Sequence, residues 1–130
     1  MSKFGPREQM ISGALVASPL AIEEHLLQLH DEMEDATALL VTLSKDAAHK
    51  KAIYEKEHAK AMLRARLQDD LSAASDRKAW ADTEVGTPRM DLLVAEGLHA
   101  SQKAVLSTKE TQAMILMALL RSVRGAIGER

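Results

Sequence analysis

Ile22, Leu26, Leu29, Met33, Ala36, Leu40, Leu43 and Ala47 recur along the chain at alternating steps of four and three. That rhythm keeps all of them on one seam of an α-helix. A strand would throw alternate members to opposite faces. Such a seam must be covered by another helix, because a long helix draws most of its stability from burying its apolar stripe. The ladder therefore specifies an all-α, coiled-coil-like architecture. It does not specify a reaction.

Composition agrees with helix and argues against sheet. Phe4, Tyr54 and Trp80 are the only aromatics, while Ala, Leu and seven Met supply most of the apolar surface. Strands draw on β-branched and aromatic residues, whereas Ala, Leu, Met, Glu, Lys, Gln and Arg are strong helix formers. A length of 130 residues suits one domain. The net charge of −2 exerts no global pull on nucleic acid or acidic lipid. The chain has no cysteine, which removes disulfides, thiol catalysis and thiolate metal sites and fits a reducing compartment. No apolar run is long enough to span a bilayer, and the N-terminal residues lack a signal-peptide layout. The expectation is a soluble, cytoplasmic protein that does not contact membranes.

Punctuation along the chain divides it into three helices. Residues 1–18 read as a tail broken by Gly5-Pro6 and Gly13, with the apolar run Met10 to Ala17 either free or docked as a short clip. Ser18-Pro19 is a helix start, a hydroxyl at the cap followed by proline in the first turn. The first helix is expected over about 19–71, since neither Gly nor Pro interrupts it, although Ser44 with Asp46 could open a new one. After Ala47 the ladder loosens. Tyr54, Ala61, Ala65 and Gln68 keep approximate phase, while Ala59, Leu63, Leu67 and Leu71 drift around the surface. Ser75 is expected to cap a short helix over about 75–84 with Trp80 as its buried anchor. Thr87-Pro88 should then open a last helix over about 88–124, stopped by Gly125, with residues 126–130 as a second tail.

Its seam reads as Leu92, Ala95, Leu98, Gln102, Val105, Gln112, Leu116, Leu119 and Val123, flanked by the small residues Gly97, Ala100, Ala104, Ser107 and Thr111. Two long helices joined by a short helical elbow make an antiparallel hairpin over 19–125. The run Met114 to Leu120 is apolar on every side, more than one partner helix covers. Self-association into a larger bundle resolves that excess. The residues expected to carry it are Ile22, Leu26, Leu29, Met33, Leu40, Leu43, Leu116, Leu119 and Val123.

Candidate chemistry is sparse. Glu55–His58 and Glu96–His99 are Glu-x-x-His pairs of the kind that build dimetal sites in four-helix bundles. However, Lys51 and Lys56 flank the first, Gly97 sits inside the second, and too few long helices exist to complete a ligand set. Solvated surface residues are the simpler reading, and no metal or other cofactor is expected. His25 and His30 stand five apart, off the i, i+4 spacing that zinc requires. Asp69-Asp70 and Glu34-Asp35 are adjacent and so diverge on a helix. No phosphate loop and no nucleophile arrangement appears, so an enzyme is not expected. From Lys45 to Arg66 there are seven basic residues against three acidic ones, and Lys56, Lys60 and Arg64 form one ridge. That ridge could meet a charged partner, nucleic-acid phosphate included, though no stacking aromatics accompany it.

Three stretches carry a family likeness: Tyr54 to Leu63 after the acidic, leucine-rich opening helix, then Asp76 to Ala81, then Leu93 to Glu96 leading a helix that ends Leu119 to Arg124. Over about residues 25–125 the chain resembles the small helical-hairpin accessory proteins of tailed bacteriophages and prophages, from the early replication and recombination region. Thr83 to Pro88 departs from that pattern with an added break. The resemblance implies a non-catalytic phage protein that acts by protein–protein contact, assisting DNA replication or recombination. Other readings are a phage inhibitor that docks on a host or defence protein, and a nucleic-acid binder that uses the basic ridge. No ligand residue is implied by the likeness.

Overall fold

The computed structural model describes residues 18–126 and is all-helical, with no strand among them. Of the expected tails at 1–18 and 126–130, residues 1–17 and 127–130 lie outside the described residues, while Ser18 stands at the start of α1 and Ala126 ends α3. Three helices follow in order: α1 over Pro19–Ala65, α2 over Ala74–Glu84 and α3 over Gly86–Ala126. They pack as two units, one from residues 18–38 with 104–126 and the other from residues 39–103.

Ser18 opens α1 as its sequence requires. Its Oγ accepts from the Ala21 amide at 3.4 Å and its carbonyl accepts from Ile22 at 3.0 Å. Pro19, which lacks a donor, occupies a first-turn position where none is needed. No break falls at Ser44, since Asp46 does not divert the backbone from its ladder. The helix stops at Ala65, about six residues before the expected end. Leu67 and Gln68 donate to carbonyls three residues back, at 3.0 and 3.1 Å, which tightens the chain out of α geometry. Arg77 then fixes the loop from the far side, donating to the carbonyls of Leu71 at 3.2 Å and Ser72 at 2.7 Å. These charge-assisted bonds satisfy groups that a longer helix would have satisfied itself.

Two further expectations at α2 and α3 need correction. α2 starts at Ala74 behind an extended Ala73, and no side chain caps it, so Ser75 lies inside the first turn. α3 begins at Gly86, with the Arg89 amide donating to the Val85 carbonyl at 3.0 Å. Thr87 and Pro88 are therefore first-turn residues, a place where proline costs no hydrogen bond.

In the first unit the α1 ladder is covered by α3. Ile22 and Leu29 keep only 2% of their surface, Ala36 is buried, and Leu26 and Met33 are half-buried. Each fully covered Leu or Ile contributes about 1.5–3 kcal/mol relative to exposure. Glu23 pairs with Arg124 and Glu32 with Lys109. As α1 advances, its partners on α3 step backwards, so the two segments run antiparallel.

In the second unit the stripe continues at Leu40, Leu43, Ala47, Lys50, Tyr54, Glu57, Ala61 and Ala65, all buried or half-buried. Ala59 and Leu63 are exposed, as their drift suggested. Gln68 does not keep phase, because it lies beyond the helix end. α2 seats through Ala81, and Val85 just past its end, against Ala61, with Tyr54 and Met62 at the rim. The anchor of α2 is thus Ala81, fully buried, and Trp80 is only half covered. Small residues at the contact let the helices approach closely, leaving no room for the indole between them.

The seam of α3 is the main departure from expectation. In the second unit its covered residues are Pro88, Leu92, Ala95, His99 and Gln102, preceded by Val85 at the junction with α2, and in the first Leu106, Lys109, Ala113, Leu116, Leu119, Leu120, Val123 and Arg124. Leu98, Val105 and Gln112, expected in the seam, are exposed. Apart from Leu119, Pro88 to Val123 step alternately by four and three, and the expected set shares Leu92, Ala95, Gln102, Leu116, Leu119 and Val123 but is one position out of phase at Leu98, Val105 and Gln112. The observed set admits His99, Gln102 and Lys109 because a long polar side chain can lie along apolar surface and deliver its polar end to the rim. Turned this way, Lys109 and Arg124 also reach Glu32 and Glu23.

Candidate interaction surface

The nine residues expected to drive self-association sit in or beside the intrachain stripes. Ile22 and Leu29 are buried, and Leu26, Met33, Leu40, Leu43, Leu116, Leu119 and Val123 are half-buried. The apolar surface left for a partner lies elsewhere. On α3 it comprises Met90, Leu93, Val94 and Leu98 in the second unit, and Val105, Met114, Ile115 and Met117 in the first. On α1, Leu20 and Leu27 remain open in the first unit and Leu39, Val41, Ile53 and Leu63 in the second.

The outward side of α3 in the first unit has a further property. Ala104, Val105, Ser107, Thr108, Thr111, Gln112, Ile115, Ala118 and Ser122 are all exposed, and none carries charge. At 3.6 residues per turn they occupy one side of the helix. Ile115 is 61% exposed and the adjacent Met114 69%. The charged residues of this segment, Lys109, Glu110, Arg121 and Arg124, fall on the other side. Shallow grooves flank the face, one lined by Ala104, Val105, Thr108, Lys109 and Gln112, another by His25, Gln112, Ile115 and Leu116. Exposed helix faces normally carry charge, and an uncharged one bearing large apolar side chains is a candidate contact surface. Sequence reasoning missed this face because it assigned Val105 and Gln112 to the core. The signal was present in the spacing of the charged residues.

The basic ridge lies in the second unit. Lys56, Lys60 and Arg64 are exposed, and Lys60 stands 3.6 Å from Glu57. Glu55 is exposed, while His58 turns away from it to meet Asp82 on α2 at 3.0 Å. The His58 ring also lies 5.7 Å from that of Tyr54, tilted by 33°. Lys78 stands 3.6 Å from the same carboxylate. The hydrogen bond with His58 holds Asp82 below its ordinary pKa, with the Lys78 charge assisting. Glu32 is likewise lowered, first by the hydrogen bond from Lys109 at 2.9 Å and then by that from Gln28. Of the two Glu-x-x-His pairs, the first is thus split between solvent and α2. In the second, Glu96 is exposed and His99 enters the α3 seam. Among the described residues no three His, Asp or Glu side chains converge as a metal site would require. Nor is any described helix long and apolar enough to cross a membrane.

No family model, characterised protein or solved structure matches the chain.

Proposed function

We propose that this chain is a non-catalytic interaction module that self-associates and acts through protein–protein contact. The observation that carries the reading is the uncharged outer face of α3 with Val105 and Ile115 exposed on it, whose apolar surface a solitary chain leaves wet at a cost of about 25 cal/mol per Å². The resemblance to phage helical-hairpin proteins makes an accessory role in phage DNA replication or recombination the role we propose for such a module. Docking on a host or defence protein as an inhibitor would use the same surface. Multi-angle light scattering across the micromolar range tests the shared part of these readings. A mass that rises with concentration supports self-association, and a monomer throughout removes it.

A second reading is favoured by one observation, the exposed Lys56, Lys60 and Arg64 on one ridge. Such a ridge suits phosphate, and binding would weaken steeply with salt. Retention of labelled DNA that is lost in Lys60→Glu with Arg64→Glu would support it. Equal retention by the variant and the unaltered chain would exclude the ridge.

A further inference from the structure

We propose that the acidic row Glu24, Asp31 and Asp35 of α1 docks antiparallel on the basic row Lys45, His49 and Lys56 of a second copy of this chain. The proposal rests on the self-association reading and adds α1 to the surfaces that carry it.

Charge on the exposed side of α1 is sorted by sign. Glu24, Asp31 and Asp35 are exposed in the first unit, where α1 has neither Lys nor Arg. Lys45, His49 and Lys56 are exposed in the second, on the side of α1 away from its buried stripe. Each row has one large apolar residue among its members: Leu27, 68% exposed, in the acidic row and Ile53, 39% exposed, in the basic one. At 3.6 residues per turn, each row with its apolar member fills about 80° of arc. Among the described residues, none of the six charged or basic side chains stands in an ion pair of its own chain.

The spacings select the occupant. Along the chain the acids step by seven and then four, and the bases by four and then seven. Read in opposite directions the two rows have one pattern. An antiparallel copy therefore sets Glu24 against Lys56, Asp31 against His49 and Asp35 against Lys45 at once. His49 offers Asp31 a ring N–H in either protonation state. The same register brings Leu27 opposite Ile53, so their apolar surface is covered in the pair and not in the single chain. Glu34 and Asp46 form the one like-charged pair near the contact, and they lie about 60° to either side of it.

Because each copy carries both rows, the antiparallel contact repeats every pair twice. A parallel copy, shifted so that Glu24 meets His49 and Asp35 meets Lys60, leaves one row of each chain unmet. Nucleic acid would meet only the basic row and is repelled by the acidic one. Exposed ion pairs add little energy singly, so the charges chiefly set direction and register.

Sedimentation equilibrium on the full chain, over the micromolar range at low salt, tests the contact. The unaltered protein should gain mass with concentration and lose that gain as salt screens the exposed charges. Reversing the acidic row (Glu24→Lys, Asp31→Lys, Asp35→Lys) or the basic row (Lys45→Glu, His49→Glu, Lys56→Glu) should weaken association about tenfold or more, with helical circular dichroism unchanged. Mixing the two variants should restore it, because each then carries the rows that the other lacks. The same charge change at exposed α3 sites, Asp91→Lys with Glu96→Lys and Glu110→Lys, should leave association as it is. The chain has no cysteine, so Asp35→Cys with Lys45→Cys should oxidise to linked copies faster than Asp35→Cys with Lys60→Cys, the pair that a parallel contact joins. Association untouched by either row reversal overturns this contact and leaves self-association standing. A monomer at every concentration overturns both, and labelled DNA retained by that monomer gives the basic row to phosphate.

Discussion

Leu27 and Leu29 stand two residues apart on α1 with opposite fates: 68% of Leu27 is exposed and 2% of Leu29. Truncating each to alanine removes the same atoms, so the difference isolates the packing of the first unit. At Leu29 the loss of three carbons from a covered site costs about 2.4 kcal/mol in transfer at ~0.8 per methylene. Part of the cavity remains, because α3 is pinned by the Glu23–Arg124 and Glu32–Lys109 pairs. The total is then about 3 kcal/mol, inside the usual range for a buried Leu→Ala. At Leu27 the change should stay within about 0.5 kcal/mol. Urea unfolding followed by circular dichroism reads this out. With a slope of about 2 kcal/mol/M, Leu29→Ala should lower the midpoint by about 1.5 M. Equal midpoints for the two variants, or a larger loss at Leu27, would refute the rotation assigned to α1.

Three more outcomes follow from the same contacts. Ala81→Leu overfills the site where Ala81, Ala61 and Val85 meet, so it should cost about 1–3 kcal/mol and shift the emission of the neighbouring Trp80. Asp82 and Glu32 both titrate below their ordinary values, so folding favours their charged forms. Their contribution is complete above about pH 4.5 and is lost as pH falls through the depressed values. Asp82→Asn with Glu32→Gln should accordingly flatten the acid limb of the stability–pH curve, and an unchanged limb would argue against both contacts. Arg77→Ala frees the Leu71 and Ser72 carbonyls and should speed hydrogen exchange across residues 66–73.

The α1 stripe was legible because all eight of its anchor positions from Ile22 to Ala47 are apolar and no competing stripe on that helix is. Ser18 and Pro19 were legible for a similar reason, since local chemistry alone decides a helix start. α3 was harder. It offers two overlapping phases with equal numbers of apolar members, and of the expected one Leu98, Val105 and Gln112 face solvent while Leu92, Ala95, Gln102, Leu116, Leu119 and Val123 are covered. The rotation is settled by partners far along the chain, Glu32 with Lys109 and Glu23 with Arg124, and no local window contains both members of either pair. Trp80 misled for a different reason. Its size suggested an anchor, yet a close helix contact selects small side chains, and Ala81 won the position. The early end of α1 turns on Arg77, which lies in the next helix. The candidate surface could have been found from the sequence by asking where α3 places its charges rather than where it places its leucines.

The rotation of α3 is the claim on which the candidate surface of that helix depends, and adjacent positions test it. Gln112 is exposed while Ala113 faces α1. Single cysteines at Gln112→Cys and Ala113→Cys, labelled with a maleimide at high dilution, report that difference without disturbing charge. The thiol at 112 should react severalfold faster than the thiol at 113. The reverse order would turn α3 about its axis, return Val105 and Gln112 to the core, and remove the outward face altogether.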